Sequence, residues 1–142
     1  MKHVEVVCAI IVNSNNEVFC CKRGPGALEG FWEFPGGKVE PNETLEETII
    51  REIKEELSST VKPIKYVGSV YHEYNNIEKP FAITLHGYIC DLIKGDLTLS
   101  EHTEKKWVKN WYLADYSFAE ADVVLLNKAI ISGLLKIDNY NE

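Results

Sequence analysis

Glu52, Glu55 and Glu56 stand at i, i+3 and i+4 in the stretch Gly36–Leu57, GGKVEPNETLEETIIREIKEEL. At about 100° per residue this spacing brings the three carboxylates onto one helical face, within roughly 100° of arc. Like charges so placed repel, so the chain gathers negative charge here at a cost. Hard divalent cations such as Mg²⁺ take oxygen ligands of this kind. A fragment such as EIKEEL is by itself most often a solvated face. The fuller pattern is far rarer: Gly37, five residues, Glu43, seven residues, Arg51-Glu52-Ile53, one residue, Glu55-Glu56. With each specified residue at a background of roughly 5–7%, a chance match is on the order of 10⁻⁷ or rarer per starting position.

A helix must carry these acids. The spacing predicts one that begins near Asn42 to Thr44, with Asn42 as N-cap, and runs to about Leu57. Glu43, Glu46 and Glu47 fall in its first turns, where the helix dipole favours acids. Leu45, Ile49, Ile50, Ile53 and Leu57 form its apolar stripe. The stripe lies beside the glutamate face rather than opposite it, so the acids border the buried side and are expected to face a cleft. Before the helix, Val4–Val12 reads as a largely buried strand and Asn13–Asn16 as a turn. Glu17–Arg23 is expected to return as the second strand of a hairpin. Phe31–Phe34 is a short aromatic strand, and Pro35-Gly36-Gly37 a tight turn. After the helix, Val61–Tyr74 and Pro80–Leu92 read as long strands, Leu97–Leu99 and Lys106–Lys109 as short ones, and Ala119–Lys136 as a second helix. The order predicts an α+β fold in one domain, residues 1–142, with helices packed on a mixed sheet.

The formal charge of −7 disfavours binding to a nucleic-acid polymer or an anionic membrane. It leaves room for a small phosphorylated partner if a metal neutralises the acids locally. No apolar run approaches the roughly 18–20 residues of a membrane span. The opening MKHVEVVCAIIVN alternates and contains Glu5, so it reads as a strand rather than a signal peptide, and a cytoplasmic location is expected. Cys8, Cys20, Cys21 and Cys90 form no CxxC pair. They read as reduced packing residues, with Cys20 and Cys21 pointing to opposite faces of one strand.

The spaced pattern resembles the Nudix box, GX5EX7REUXEEXGU with U aliphatic, and the flanking WEFPGGKVEP is similar to MutT-type members. Weaker similarity extends over most of the chain. One departure is plain: Ser58 and Ser59 stand where the box has Gly and an aliphatic residue. The resemblance implies an α/β/α sandwich with a central mixed sheet flanked by the Nudix helix and a C-terminal helix. It implies that Glu52, Glu55 and Glu56 bind Mg²⁺ or Mn²⁺, with the Gly36 carbonyl as a further ligand. Arg51 would orient carboxylates and form a salt bridge with Glu43, and Lys38 would meet phosphate or pair with an acid. Glu101, six residues before Trp107, resembles a loop glutamate that binds metal or positions water; Glu104 is the fallback and His102 a weaker candidate.

FAEADVVLL resembles the segment with which MutT-type enzymes meet the nucleobase. Asp122 stands at the base-reading position, with a helix N-cap as its alternative. A carboxylate there suits the exocyclic amino group of guanine or cytosine. Phe34, Tyr74 and Phe81 are candidate walls for a stacked base, or core. Arg23 is a candidate for a base or phosphate contact.

The implied activity is metal-dependent hydrolysis of a (d)NTP to the monophosphate and pyrophosphate, by a monomer or homodimer. Sanitation of the nucleotide pool (8-oxo-dGTP) is the first reading, and a CTP or modified-dCTP pyrophosphohydrolase the nearest competitor. A hydrolase of another nucleoside diphosphate derivative such as ADP-ribose stays open. Two other classes are a nucleotide-sensing Nudix module, which need not keep all three acids of REIKEE, and an acidic-helix interaction protein, which needs no metal.

Overall fold

The computed structural model describes residues 1–98 and 104–137. Among the described residues, seven strands form two sheets. They are β1 Lys2–Ile11, β2 Glu17–Lys22, β3 Trp32–Glu33, β4 Gly36–Lys38, β5 Thr60–Tyr74, β6 Phe81–Lys94 and β7 Glu104–Lys109. The larger sheet has the order β4-β1-β6-β5 and is mixed: β1 runs parallel to β6, and the other pairs are antiparallel. The smaller sheet, β3-β2-β7, is antiparallel. Helices α1, Leu45–Leu57, and α2, Glu120–Ile131, and a 3₁₀ turn at Asn110–Asp115 are the other elements among the described residues.

Alternation along β1 divides the core. Val7, Ala9 and Ile11 pack with Ile49, Ile53 and Leu57 of α1. Cys8 and Ile10 pack with Leu125 and Ala129 of α2. The two helices therefore cover opposite faces of the mixed sheet, as the sandwich requires. Cys20 joins the α2 side and Cys21 the α1 side. Gly87 of β6 lets α2 approach closely, since a Cβ there would stand 2.5 Å from a Leu125 methyl. Among the described residues, no helix is long and apolar enough to cross a membrane.

Several local expectations are corrected. β1 and β2 do not form a hairpin ladder: they belong to different sheets and share only the isolated bridge Val12–Val18. Gly36 and Gly37 are not a turn but part of β4, paired with Cys8 and Val7. Thr44, not Asn42, caps α1, because Thr44 and Glu47 exchange side-chain and backbone bonds in a capping box. Ile50 leaves the apolar stripe and is exposed. Leu97 and Thr98 are not strand, and Leu99 lies outside the described residues. The second helix stops at Ile131, ahead of Gly133 with its φ of 79°. Its N-cap is Ala119, so the capping role for Asp122 does not hold.

Candidate active site

The acidic end of the site is built around Arg51. Glu43, just ahead of the capping box, accepts Arg51 Nε at 2.5 Å and Nη2 at 3.0 Å, and it also accepts the Thr48 hydroxyl at 2.8 Å. The guanidinium bonds hold the Glu43 carboxyl down at about 2 and raise the pKa of Arg51 itself. Arg51 Nη1 reaches Glu52 at 2.9 Å and Glu55 at 3.3 Å, while Nη2 donates to the Lys38 carbonyl at 3.2 Å. One side chain thus ties the start of α1, two of its glutamates and strand β4 together.

The paired glycines explain how Glu52 gets there. A Cβ on Gly37 would stand 2.5 Å from Glu52 Oε2 and 2.6 Å from its Cγ. A Cβ on Gly36 would stand 2.7 Å from the Cα of Cys8. β4 is squeezed between β1 and the glutamate, and only residues without a side chain fit.

The other end is built by the start of α2. Trp32 N–H donates to the Ser117 carbonyl at 2.8 Å, and Ala119 N–H to the Trp32 carbonyl at 2.9 Å. These bonds lay the helix entry beside β3. Three consecutive residues are then clasped. Glu120 meets His72 Nε2 at 2.8 Å, Ala121 N–H donates to Tyr74 Oη at 3.0 Å, and Asp122 Oδ2 accepts the Phe34 N–H at 3.0 Å. Asp122 is 6% exposed. Burial first, and then the neighbouring Glu33 carboxylate, push its pKa up to about 8 against the opposing pull of the Phe34 N–H and Arg23. Phe34 packs on Phe118 with ring centroids 5.1 Å apart, and Tyr74 packs on Phe81 at 5.1 Å. Arg23 donates to Glu33 at 2.9 Å and to the Ala27 carbonyl at 2.8 Å.

One cleft of about 1020 Å³ joins the two ends. Gly36, Lys38, Glu52 and Glu56 line it on the acidic side. Arg23, Phe34, Tyr74, Phe81 and Asp122 line it on the aromatic side. Arg51 and Glu55 are not among its lining residues; Glu55 is 60% exposed and turned onto Arg51. Among the described residues no three His, Cys, Asp or Glu side chains converge closely enough to hold a metal ion. The donors that do line the acidic side, Glu52 and Glu56 carboxylates beside the Gly36-Gly37 backbone, are all oxygen. Together with the cradle that Gly37 leaves for Glu52, that set fits a hard divalent cation.

Residues 1–127 match the NUDIX domain family. The chain belongs to the Nudix hydrolase family. It is 33% identical over 126 residues to a CTP pyrophosphohydrolase of Escherichia coli (strain K12), covering 89% of this chain and 90% of that one. It is 34% identical over 98 residues to an 8-oxo-dGTP diphosphatase of Proteus vulgaris, covering 68% and 84%. The solution structure of the E. coli ORF135 protein superposes with a TM-score of 0.77 at 30% identity, covering 98% of this chain and 96% of that one.

The Nudix helix ends on Ser58 rather than the glycine of the box. Ser58 nevertheless takes the left-handed conformation, φ 49° and ψ 36°, and its N–H donates to the Lys54 carbonyl at 3.1 Å. Glu101 and His102 lie outside the described residues. Glu104 heads β7 and pairs with Lys22 at 3.5 Å. The Nudix motif directs no attention to Glu33, His72 or Glu120. For Glu33 a signal existed, an acid between two buried aromatics in Trp32-Glu33-Phe34. For His72 and Glu120 there was none, because their meeting depends on how α2 lies across β5.

Proposed function

We propose that this Nudix hydrolase cleaves a nucleoside or deoxynucleoside triphosphate, in the cytoplasm, to the monophosphate and pyrophosphate, and so removes damaged or surplus nucleotides from the pool. The observation that carries the reading is the single cleft running from Glu52 and Glu56 to Phe34 and Asp122. Mg²⁺ or Mn²⁺ would be held by Glu52, Glu56 and the Gly36 carbonyl, with Glu55 and Glu101 as further ligands. When bound it supplies charge neutralisation at phosphate and an activated water. Arg51 keeps the carboxylates oriented through its bonds to Glu43, Glu52 and Glu55. Lys38, on the cleft edge, adds positive charge for the phosphate chain. Phe34, Tyr74 and Phe81 offer apolar ring surface to a base. Asp122 meets the base's exocyclic amino group, and Arg23 contributes a further polar contact beside it.

That amino group disfavours thymine and uracil, and of the bases that carry one we take the guanine and cytosine types forward. Relatives support both: an 8-oxo-dGTP diphosphatase over 68% of this chain, and a CTP pyrophosphohydrolase over 89%. The purified protein should be given 8-oxo-dGTP, dGTP, CTP, dCTP, dTTP and UTP, each with Mg²⁺ or Mn²⁺, and pyrophosphate release followed. Metal-dependent turnover of 8-oxo-dGTP or of a cytidine triphosphate, ahead of dTTP and UTP, is the expected result. Turnover of neither class would overturn the proposal.

A further inference from the structure

The last residue of the Nudix box, Ser59, does what an aliphatic residue cannot. It is 1% exposed. Its Oγ donates to the carbonyl of Leu57, the final residue of α1, at 2.8 Å. The same oxygen accepts the N–H of Leu97 at 2.9 Å. Leu97 follows β6, has a fully buried side chain and sits at φ 58°, a conformation that leucine adopts only when its surroundings hold it. Its carbonyl is taken by Lys105 Nζ of β7 at 2.8 Å. Both backbone polar groups of Leu97 are therefore satisfied by side chains, one from the end of the Nudix helix and one from the smaller sheet. Gly95 makes the approach possible. A Cβ there would stand 2.8 Å from both the Cα and the Cβ of Ser59, and its φ is 102°. Ser59 and Gly95 are a matched pair, and a branched aliphatic side chain at 59 would leave the buried Leu97 N–H without its acceptor.

We infer that Ser59 is a positioning residue for the metal-binding end of α1. Glu55 and Glu56 lie in the last turn of that helix, immediately ahead of the clasp. By joining Leu57 to Leu97, and through Leu97 to Lys105, the Ser59 hydroxyl fixes that turn against β7. It thereby fixes the direction in which the two carboxylates leave the helix. The inference rests on the metal reading above. Ser59 itself touches neither substrate nor metal.

The test is Mn²⁺ binding to the nucleotide-free protein, read from the electron paramagnetic resonance signal of free Mn²⁺. Wild type, Ser59→Ala and Gly95→Ala are compared, with the nucleotide KM at saturating Mn²⁺ and the melting temperature measured alongside. Ser59→Ala should weaken Mn²⁺ binding by roughly tenfold, in the range found when a group that orients a ligand is lost, and leave the nucleotide KM at saturating Mn²⁺ essentially unchanged. Gly95→Ala, which keeps the hydroxyl but displaces it, should act in the same direction, and it carries the test if Ser59→Ala does not fold. A lower melting temperature with wild-type Mn²⁺ affinity in the folded variants would make the clasp purely structural and overturn the inference. A wild type that binds no Mn²⁺ would instead bring down the metal reading, and the inference with it.

Discussion

At Asp122, burial and the Glu33 carboxylate hold the pKa near 8, whereas in the unfolded chain it returns to about 3.9. Below about pH 4 both states carry the proton. Between there and about pH 8 the folded chain keeps a proton that the unfolded chain has lost, so stability falls as pH rises through that window. Asparagine can accept the Phe34 N–H without titrating. The melting temperature of Asp122→Asn should therefore gain on wild type as pH rises from 5 to 8; parallel curves would refute the assignment. The cleft glutamates make a different prediction. Glu56→Gln keeps the shape and removes the charge, so turnover should drop by about 10²-fold or more if several kcal/mol of stabilisation is lost. Thermal melting should hardly move, and activity that survived would remove Glu56 from the metal site. These glutamates were legible because their spacing is local to one helix. Glu33, His72 and Glu120 were not, because what each does depends on a partner brought by another element.

The Nudix helix was the most legible element, since its stripe, acids and start signal fall within one stretch. Its N-cap was misread because Asn42 is a good cap in isolation, whereas Thr44 with Glu47 satisfies two backbone donors reciprocally. β4 was misread because Gly-Gly after Pro has the chemistry of a turn. Its pairing to β1 and the approach of Glu52 appear only in three dimensions. The supposed first hairpin failed for a related reason: Asn13–Asn16 reverses the chain but does not decide which sheet each arm joins. At the other end of α1, Ser58 holds a left-handed conformation that costs a side chain roughly 1–2 kcal/mol, and part of this is offset by the greater freedom glycine loses on folding. Because Ser58 is exposed and its side chain is not needed for the cap, Ser58→Gly should stabilise the protein by about 0.5–1 kcal/mol, measured by chemical denaturation. A destabilised variant would mean that the serine side chain contributes something the cap geometry does not show.

Over the whole molecule, the four thiols divide between the two cores: Cys8 and Cys20 on the α2 side, Cys21 and Cys90 on the α1 side. All are free and buried, and burial pushes each thiol pKa up, Cys90 to about 12. A thiol reagent at pH 8 should leave the native protein almost unlabelled and modify all four on unfolding. Mass spectrometry during partial denaturation should find species with none or four adducts if the two cores open together. A population carrying two, on one core alone, would reveal independent opening.

The parallel pairing of β1 with β6 bears on how the chain assembles. His3 and Thr84, bonded across that ladder, are 81 residues apart in sequence. As the chain is synthesised, β1, destined for the middle of the mixed sheet, emerges well before β6 and waits for it, with Val7–Ile11 still to be buried. β5 and β6 are consecutive and can pair locally, so insertion of β1 beside a preformed hairpin is expected to limit the folding rate. Val4 and Val6 of β1 and Ile83 and Leu85 of β6 line the cleft, so its wall is complete only once that parallel ladder has closed.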